Sequence, residues 1–401
     1  MNPSDVTMRA LPALIAGFAL ACLVTLAVTP LVRAFAGRRG MVDRPDARRV
    51  NKRAIARGGG VAIAAGFVSV SAVMLVLNFA LGLKFVDETA GVGAGQVAAL
   101  LGGAVLAVAI GLLDDFMQLR ARWQLLGQLA LAAAAVALGV TVVAVNFPFA
   151  PDGTLPLGGA IGAIAAVIWI VGMVNSINFI DGLDGLSTGI ALIAAVTLGT
   201  ISLGVGIDEP EPFVALFCFI LAGALAGFLR WNFHPASIFS GTSGIMFVGY
   251  SLAVLSILGA GKIAIALLVL GVPIMDTFWI IVRRTLSGRS PFAADRGHIH
   301  HRLLDLGLSH RDTVLVIYGV CILLAGLSLV LSGRGQVYAF LGLVVVFGLA
   351  LYLIERVRGG AGAIEESLDA GSYANGTGDR PDDRPPPPAP LDPTAGRPGA
   401  E

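Results

Sequence analysis

The chain has 401 residues, of which 56% are hydrophobic and only 13% charged, with a formal net charge of +1. A mean hydropathy of +0.84 excludes an ordinary soluble domain and places the chain among integral membrane proteins. Cys22, Cys218 and Cys321 all lie inside apolar runs without metal-ligand spacing, so they are expected to be packing residues, with no disulfide framework.

The first apolar stretch, Leu11 to about Phe35, is longer than a signal-peptide core and fits a retained spanning helix. Ten further apolar segments follow, near 59–82, 95–113, 124–146, 159–175, 187–206, 212–229, 243–259, 262–282, 313–332 and 336–355. Several fall short of the roughly 20 residues that span a bilayer, and one is a candidate re-entrant segment. The expected fold is therefore all-α, a polytopic membrane domain over residues 1–356 with about eleven transmembrane helices. Between two of the spans, "FPFAPDGTLPLGG" carries hairpin-like turn residues. From Arg356 the apolar pattern ends, and residues 357–401 read as a disordered Pro-rich tail with no catalytic role.

Basic residues give the orientation. With the C-terminus inside, the inner loops hold 20 of the 27 Lys and Arg residues, and the outer side only Arg9, Lys84, Lys262 and Arg334. Every polar cluster that interrupts the apolar pattern then falls on the cytoplasmic face of the cell membrane. Five such loops, rich in acids, amides, histidines and arginines, suit a water-soluble anionic substrate. A carrier would need polar residues along a mid-membrane path and internal inverted repeats, and neither is visible.

Asp114 and Asp115 close the third span. Alone, adjacent acids at a helix end are usually solvated. "NSINFIDGLDG" places Asn175, Asn178, Asp181 and Asp184 at steps of three, on one side of a continuing helix. One of them would suffice to cap the next helix; four point to a site. Carboxylates and amide oxygens suit Mg²⁺, which is commonly held by one or two carboxylates plus substrate phosphates, and phosphoryl transfer uses such a centre with basic groups around it. "HIHH" supplies His298, His300 and His301, with Arg302 adjacent. No cysteine or spaced histidine pair favours zinc there, so imidazoles gripping a diphosphate are the better reading, against the plain alternative of a solvated loop.

"DD" after a span, "NxxNFxDGLDGL", "PAxIFxG", "VPIxDT" and "HIHHRL", in this order over residues 10–355, resemble the polyprenyl-phosphate N-acetylhexosamine-1-phosphate transferases of glycosyltransferase family 4. The resemblance implies a polytopic enzyme that uses Mg²⁺ or Mn²⁺. It would transfer sugar 1-phosphate from a UDP-N-acetylhexosamine to a membrane polyprenyl phosphate and release UMP, the first lipid-linked step of a cell-surface polysaccharide. The "HIHH" form is more similar to the branch that uses UDP-N-acetylglucosamine than to the branch that uses UDP-N-acetylmuramoyl-pentapeptide. By the same resemblance Asp114, Asp115 and Asp184 are expected to be catalytic, with Asp184, Asp181 and Thr242 at the metal. Asn175, Asn178, Asp181, His298, His300, His301 and Arg302 are expected to bind substrate. Asp276 matches a family aspartate; alone it would read as a partner of Arg283 or Arg284. No nucleic-acid partner is expected, and Gly/Ala-rich helix faces suit packing between subunits of a homodimer or within one chain.

The departures from the family pattern are specific. Thr242 stands where a family aspartate follows "IFxG", which leaves open a catalytically silent binder of UDP-sugar or lipid phosphate. It also excludes an aspartyl-enzyme intermediate at that position. Gln124 stands where a basic residue is usual, Asn51 where histidine is common, and Ala54 where proline is common.

Overall fold

The computed structural model describes residues 3–43, 54–84, 92–147, 149–150, 153–204, 210–259, 262–286, 288, 297–331 and 333–352. The proposed tail, 357–401, and Asn51 lie outside the described residues.

Apolar runs with few helix breakers dictate helices, and helices carry nearly all the described structure. In chain order they are α1 (Pro3–Arg38), α2 (Gly60–Leu75, continued by a π-helical turn Val76–Ala80), α3 (Ala94–Met117), α4 (Ala121–Ala137) and α5 (Gly159–Ile180). Then come α6 (Leu186–Ser202), α7 (Pro212–Asn232), α8 (Gly241–Leu258), α9 (Lys262–Val269), α10 (Gly271–Leu286), α11 (Ile299–Asp305) and α12 (His310–Val330). The last, α13, runs Arg334–Tyr352. Two antiparallel pairs complete the list: β1 (Val42–Asp43) with β2 (Ile55–Ala56), and β3 (Ala144–Asn146) with β4 (Thr154–Pro156).

Among the described residues eight helices are long and apolar enough to cross a membrane, or nine if α9 and α10 form one span bent by 80°. The chain is an all-α, multi-pass membrane protein. Three of the eleven expected segments differ from a simple span. The sixth is an apolar helix of only 17 residues, Leu186–Ser202. The fourth stops at Ala137, because Ala144–Asn146 pairs with Thr154–Pro156 across the turn residues. The ninth breaks near Gly271, where the chain turns instead of continuing.

By compactness the chain divides into residues 1–346 and residues 347–401; the first unit holds every element of the site, and the described part of the second is the end of α13. Within the first unit, α8 is almost wholly buried against α3, α5 and α2, while α7 is buried between α1 and α6. Phe67, Phe217, Phe228, Phe247 and Tyr250 fill that interior, with Phe67 edge-on to Phe247 at 5.6 Å. Two glycines set how closely the neighbours approach α8. A β-carbon at Gly60 would lie 2.1 Å from Gly244 N, and one at Gly111 2.4 Å from Ser243 Cα. Helices α2 and α3 therefore touch the backbone at the start of α8, and this contact builds the site.

The first loop is tied to the same place. Gly59 N donates to Phe239 O, Gly60 N to Ser240 O, and Phe239 N to Ala56 O, each within 2.9 Å. Residues 56–60 and 238–244 form one backbone-bonded shelf at the ends of α2, α3 and α8.

Candidate active site

Asp114 and Asp115 sit in the last turn of α3, and both are buried. The two carboxylates face different partners. Asp115 Oδ1 accepts from Thr242 N at 2.8 Å; its Oδ2 accepts from Ser243 N at 3.1 Å and Ser243 Oγ at 2.8 Å. Two of these donors are free amides of the first turn of α8, where the helix dipole also favours a negative charge. Gly241 opens that turn at φ +69°, a conformation that favours glycine, and a β-carbon there would lie 2.6 Å from Asp115 Oδ2. Asp115 thus serves α8 as a capping carboxylate supplied by another helix.

Asp114 Oδ1 accepts from Leu119 N at 2.8 Å and Gln124 Nε2 at 2.9 Å, and its Oδ2 from Thr242 Oγ1 at 2.6 Å. The structure therefore brings Asp114, Asp115 and Thr242 together.

The expected four-residue stripe on one helix does not persist. Helix α5 ends at Ile180, and Asp181 leaves it at φ −76°, ψ 51°, so only Asn175 and Asn178 occupy helical positions. Asn175 Nδ2 donates to Gln128 Oε1 at 2.7 Å, tying α5 to α4. Asn178 is exposed. Asp181 accepts from the hydroxyls of Ser187 and Ser240, the latter at 3.0 Å, and so belongs to the same shelf as Thr242. Burial pushes the Asp181 carboxyl above the usual carboxylate range. The Ser187 and Ser240 hydroxyls and Arg57 pull it back, and Asp115 adds to the rise.

Asp184 turns elsewhere. Its Oδ2 meets His234 Nδ1 at 2.8 Å and accepts from Ala236 N at 3.0 Å, while its own N–H donates to His310 Nε2 at 2.9 Å. The rings of His234 and His310 stack at 4.1 Å. Asp184 Oδ1 carries no hydrogen bond among the described residues.

The histidine loop forms a second wall. His298 Nδ1 lies 2.7 Å from Asp276 Oδ2, and Ile299 N donates to Asp276 Oδ1 at 2.9 Å. Asp276 is thus held by the histidine loop through His298 and Ile299, where the plain alternative to a family aspartate was a pairing with Arg283 or Arg284. The His298 and His300 rings lie parallel at 5.5 Å, and His301 is 4.4 Å from His300. Arg302 is buried, its Nε donating to Gly297 O at 2.9 Å. His300 packs on Gly182, where an added β-carbon would lie 2.1 Å from its Nε2, and this contact joins the histidine wall to the Asp181–Asp184 turn. Burial holds the His300 imidazole well below its ordinary pKa of 6.5, helped by His301, His298 and His310. It is a neutral ring at neutral pH.

Sequence reasoning missed Gln124, Ser187, Ser240, Ser243, His234 and His310 as site residues. His234 and His310 are isolated in the sequence, and no spacing rule joins them. Ser240 and Ser243 flank Thr242 inside a polar run that was visible. Gln124 was visible only as a departure from a pattern.

Together the acids, hydroxyls and imidazoles can hold phosphates and a hard cation beside a carboxylate oriented by fixed donors. A sequence profile described as "Glycosyl transferase family 4" matches residues 97–260. A probable undecaprenyl-phosphate N-acetylglucosaminyl 1-phosphate transferase of Bacillus subtilis is 36% identical over 346 residues, covering 85% of this chain and 90% of its own. A decaprenyl-phosphate N-acetylglucosaminephosphotransferase of Mycobacterium tuberculosis is 37% identical over 374 residues, covering 87% and 90%. A phospho-N-acetylmuramoyl-pentapeptide-transferase of Desulforudis audaxviator is 32% identical over 355 residues, covering 81% and 100%.

Proposed function

The chain belongs to glycosyl transferase family 4, and from that premise we propose that it transfers N-acetylglucosamine 1-phosphate from UDP-N-acetylglucosamine to a membrane polyprenyl phosphate. The observation that carries the reading is the junction of three walls at one end of the helices. They are Asp114 with Thr242, Asp181 with Ser187 and Ser240, and the His298–His300–His301 face seated on Gly182. The donor and acceptor fit the relatives named for N-acetylglucosamine, at 36% and 37% identity over most of the chain.

The lipid phosphate oxygen attacks the β-phosphorus of the sugar nucleotide directly. The bond from that phosphorus to the bridging oxygen breaks, and UMP leaves with the electron pair, giving polyprenyl-diphosphate-N-acetylglucosamine. A covalent carboxyl intermediate at position 242 has no carboxyl to form on. Asp114, near the end of α3, orients the incoming phosphate and takes its proton where one is present. The His298, His300 and His301 imidazoles and Arg302 hold the diphosphate of the donor.

Oxygen-rich Asp181 and Thr242, which share one shelf, suit Mg²⁺, with Mn²⁺ the alternative. Substrate phosphates would supply further oxygens, and Asp184, turned toward His234, would join only through its Oδ1. When bound, the ion neutralises charge on the transferring phosphoryl group. The bias of basic residues toward the inner loops supports a site on the cytoplasmic face, open to UDP-sugar from the cytosol and to lipid from the membrane.

The test is UMP release from purified full-length protein given UDP-N-acetylglucosamine, polyprenyl phosphate and Mg²⁺. Turnover dependent on all three supports the reading. Absence of UMP with any UDP-N-acetylhexosamine, with nucleotide binding retained, would identify a silent binder.

A further inference from the structure

Gln124 and Thr242 lie 118 positions apart in the sequence, yet each donates to one oxygen of the same carboxylate. We propose that these two residues act as one unit, a charge-free clamp that positions Asp114 toward the acceptor phosphate. The proposal rests on the transferase reading for what Asp114 does, but not for the existence of the clamp.

Both residues are held for the task. Helix α3 ends at Met117, and Gln118 takes a left-handed conformation (φ +49°) that reverses the chain. The reversal returns Leu119 N to Asp114 Oδ1 and starts α4, so that Gln124 in its first turns reaches the same oxygen. From the other side, Thr242 is fixed through its backbone, whose N–H is held by Asp115 Oδ1. Its hydroxyl is then aimed at Asp114 Oδ2 at 2.6 Å. Three donors from two directions leave the carboxylate one orientation, and none of the three carries charge.

The two residues are also the departures in this corner from the family pattern, one replacing a base and the other an acid. The structure gives a reason for them to change together. An aspartate at 242 alone would set a third carboxylate against Asp114 and Asp115, and a lysine at 124 alone would set a cation on Asp114 Oδ1 with no new anion opposite. Removing both charges leaves the corner's net charge the same and leaves the Asp114 carboxylate held by uncharged donors. Residues that share one hydrogen-bond network are expected to couple.

The experiment uses purified full-length protein in detergent and five variants: Gln124→Lys, Thr242→Asp, the two combined, Thr242→Val and Thr242→Ser. Melting temperatures without substrate report the clamp itself. Gln124→Lys is expected to act more favourably on the Thr242→Asp protein than on the parent. Equal effects in both backgrounds would overturn the coupling. Turnover reports positioning. Thr242→Val, which keeps the shape and loses the donor, is expected to lower kcat about tenfold. Its KM for UDP-N-acetylglucosamine should stay within about twofold of the parent. Thr242→Ser should restore most of the rate, and the combined charge pair should exceed the slower of its two single variants about tenfold. A valine variant as fast as the serine variant, or single effects that simply multiply in the combined protein, would overturn the proposal. If the parent releases no UMP, the transferase reading falls, and the melting comparison still decides the clamp.

Discussion

Asp115→Ala is expected to loosen the start of α8, and its loss of activity should follow from that. The substitution strands two backbone amides and a hydroxyl where the native side chain is 6% exposed. Hydrogen bonds to a charged acceptor contribute about 1.5–3 kcal/mol each. Taking the lower end for three of them, and subtracting the relief of no longer burying a carboxylate, leaves a loss of about 3 kcal/mol. At roughly 2–4 °C per kcal/mol, the melting temperature should fall by about 6–12 °C. The assay is a thermal melt of purified protein followed by intrinsic fluorescence, with UMP release measured on the same preparation. Asp114→Asn is the comparison: it keeps a side chain that fits the clamp and should lose turnover with a smaller fall in melting temperature. An Asp115→Ala protein that melts within about 1 °C of the parent and yet has lost turnover would refute this reasoning. It would make Asp115 a reacting group.

Three other perturbations probe the opposite wall. Gly182→Ala drives a methyl group to 2.1 Å from His300 Nε2, an overpacking worth about 1–3 kcal/mol, and should raise the KM for the sugar nucleotide about tenfold in steady-state assays. Asp276→Asn removes the charged partner of buried His298; kcat should fall and the histidine loop should become sensitive to limited proteolysis, whereas unaltered values of both would show that the pair is dispensable. His300 is neutral in the folded protein with its pKa held well below 6.5, so as pH falls through 6.5 the unfolded chain takes up a proton that the native chain refuses. Stability contributed by this ring is therefore complete above that pH and is lost below it. His300→Gln should flatten the acid side of a plot of melting temperature against pH, and an unchanged slope would contradict the assignment.

The sequence was most legible where the physics is one-dimensional. Runs such as "GGAIGAIAAVIWIVGMV" have to be helices, and α5 covers that run. The site residues that stood in one short segment, such as His298, His300 and His301, also come together as expected. What could not be read were relations made by packing. Asp114 and Asp115 are indistinguishable by period and hydropathy, yet one caps α8 and the other is held by a side-chain clamp. Asp181 and Asp184 looked like one stripe because a helix was extrapolated through glycines, and the chain instead ends α5 and points the two acids to different partners. For Asp276, sequence offered only the neighbours Arg283 and Arg284 as partners beside the family match, whereas His298, which meets it, lies 22 residues on. His234 stands in the same polar run as Thr242, but nothing local pairs it with His310; the two meet only through Asp184 and each other.

The arrangement around α3 also has a consequence for how the protein is made. The donors that satisfy Asp115 are encoded 127 and 128 residues later. At a synthesis rate of about 5–20 residues per second, α3 enters the membrane roughly 6–25 s before those donors exist. Asp114 has help sooner, because Leu119 and Gln124 follow it by 5 and 10 residues and close on its Oδ1 as α4 forms. The newborn α3–α4 hairpin therefore carries one acid already tethered and one still waiting for α8. Delivery of α8 to that waiting charge is an assembly step that a ribosome stalled between the two helices should leave visibly incomplete.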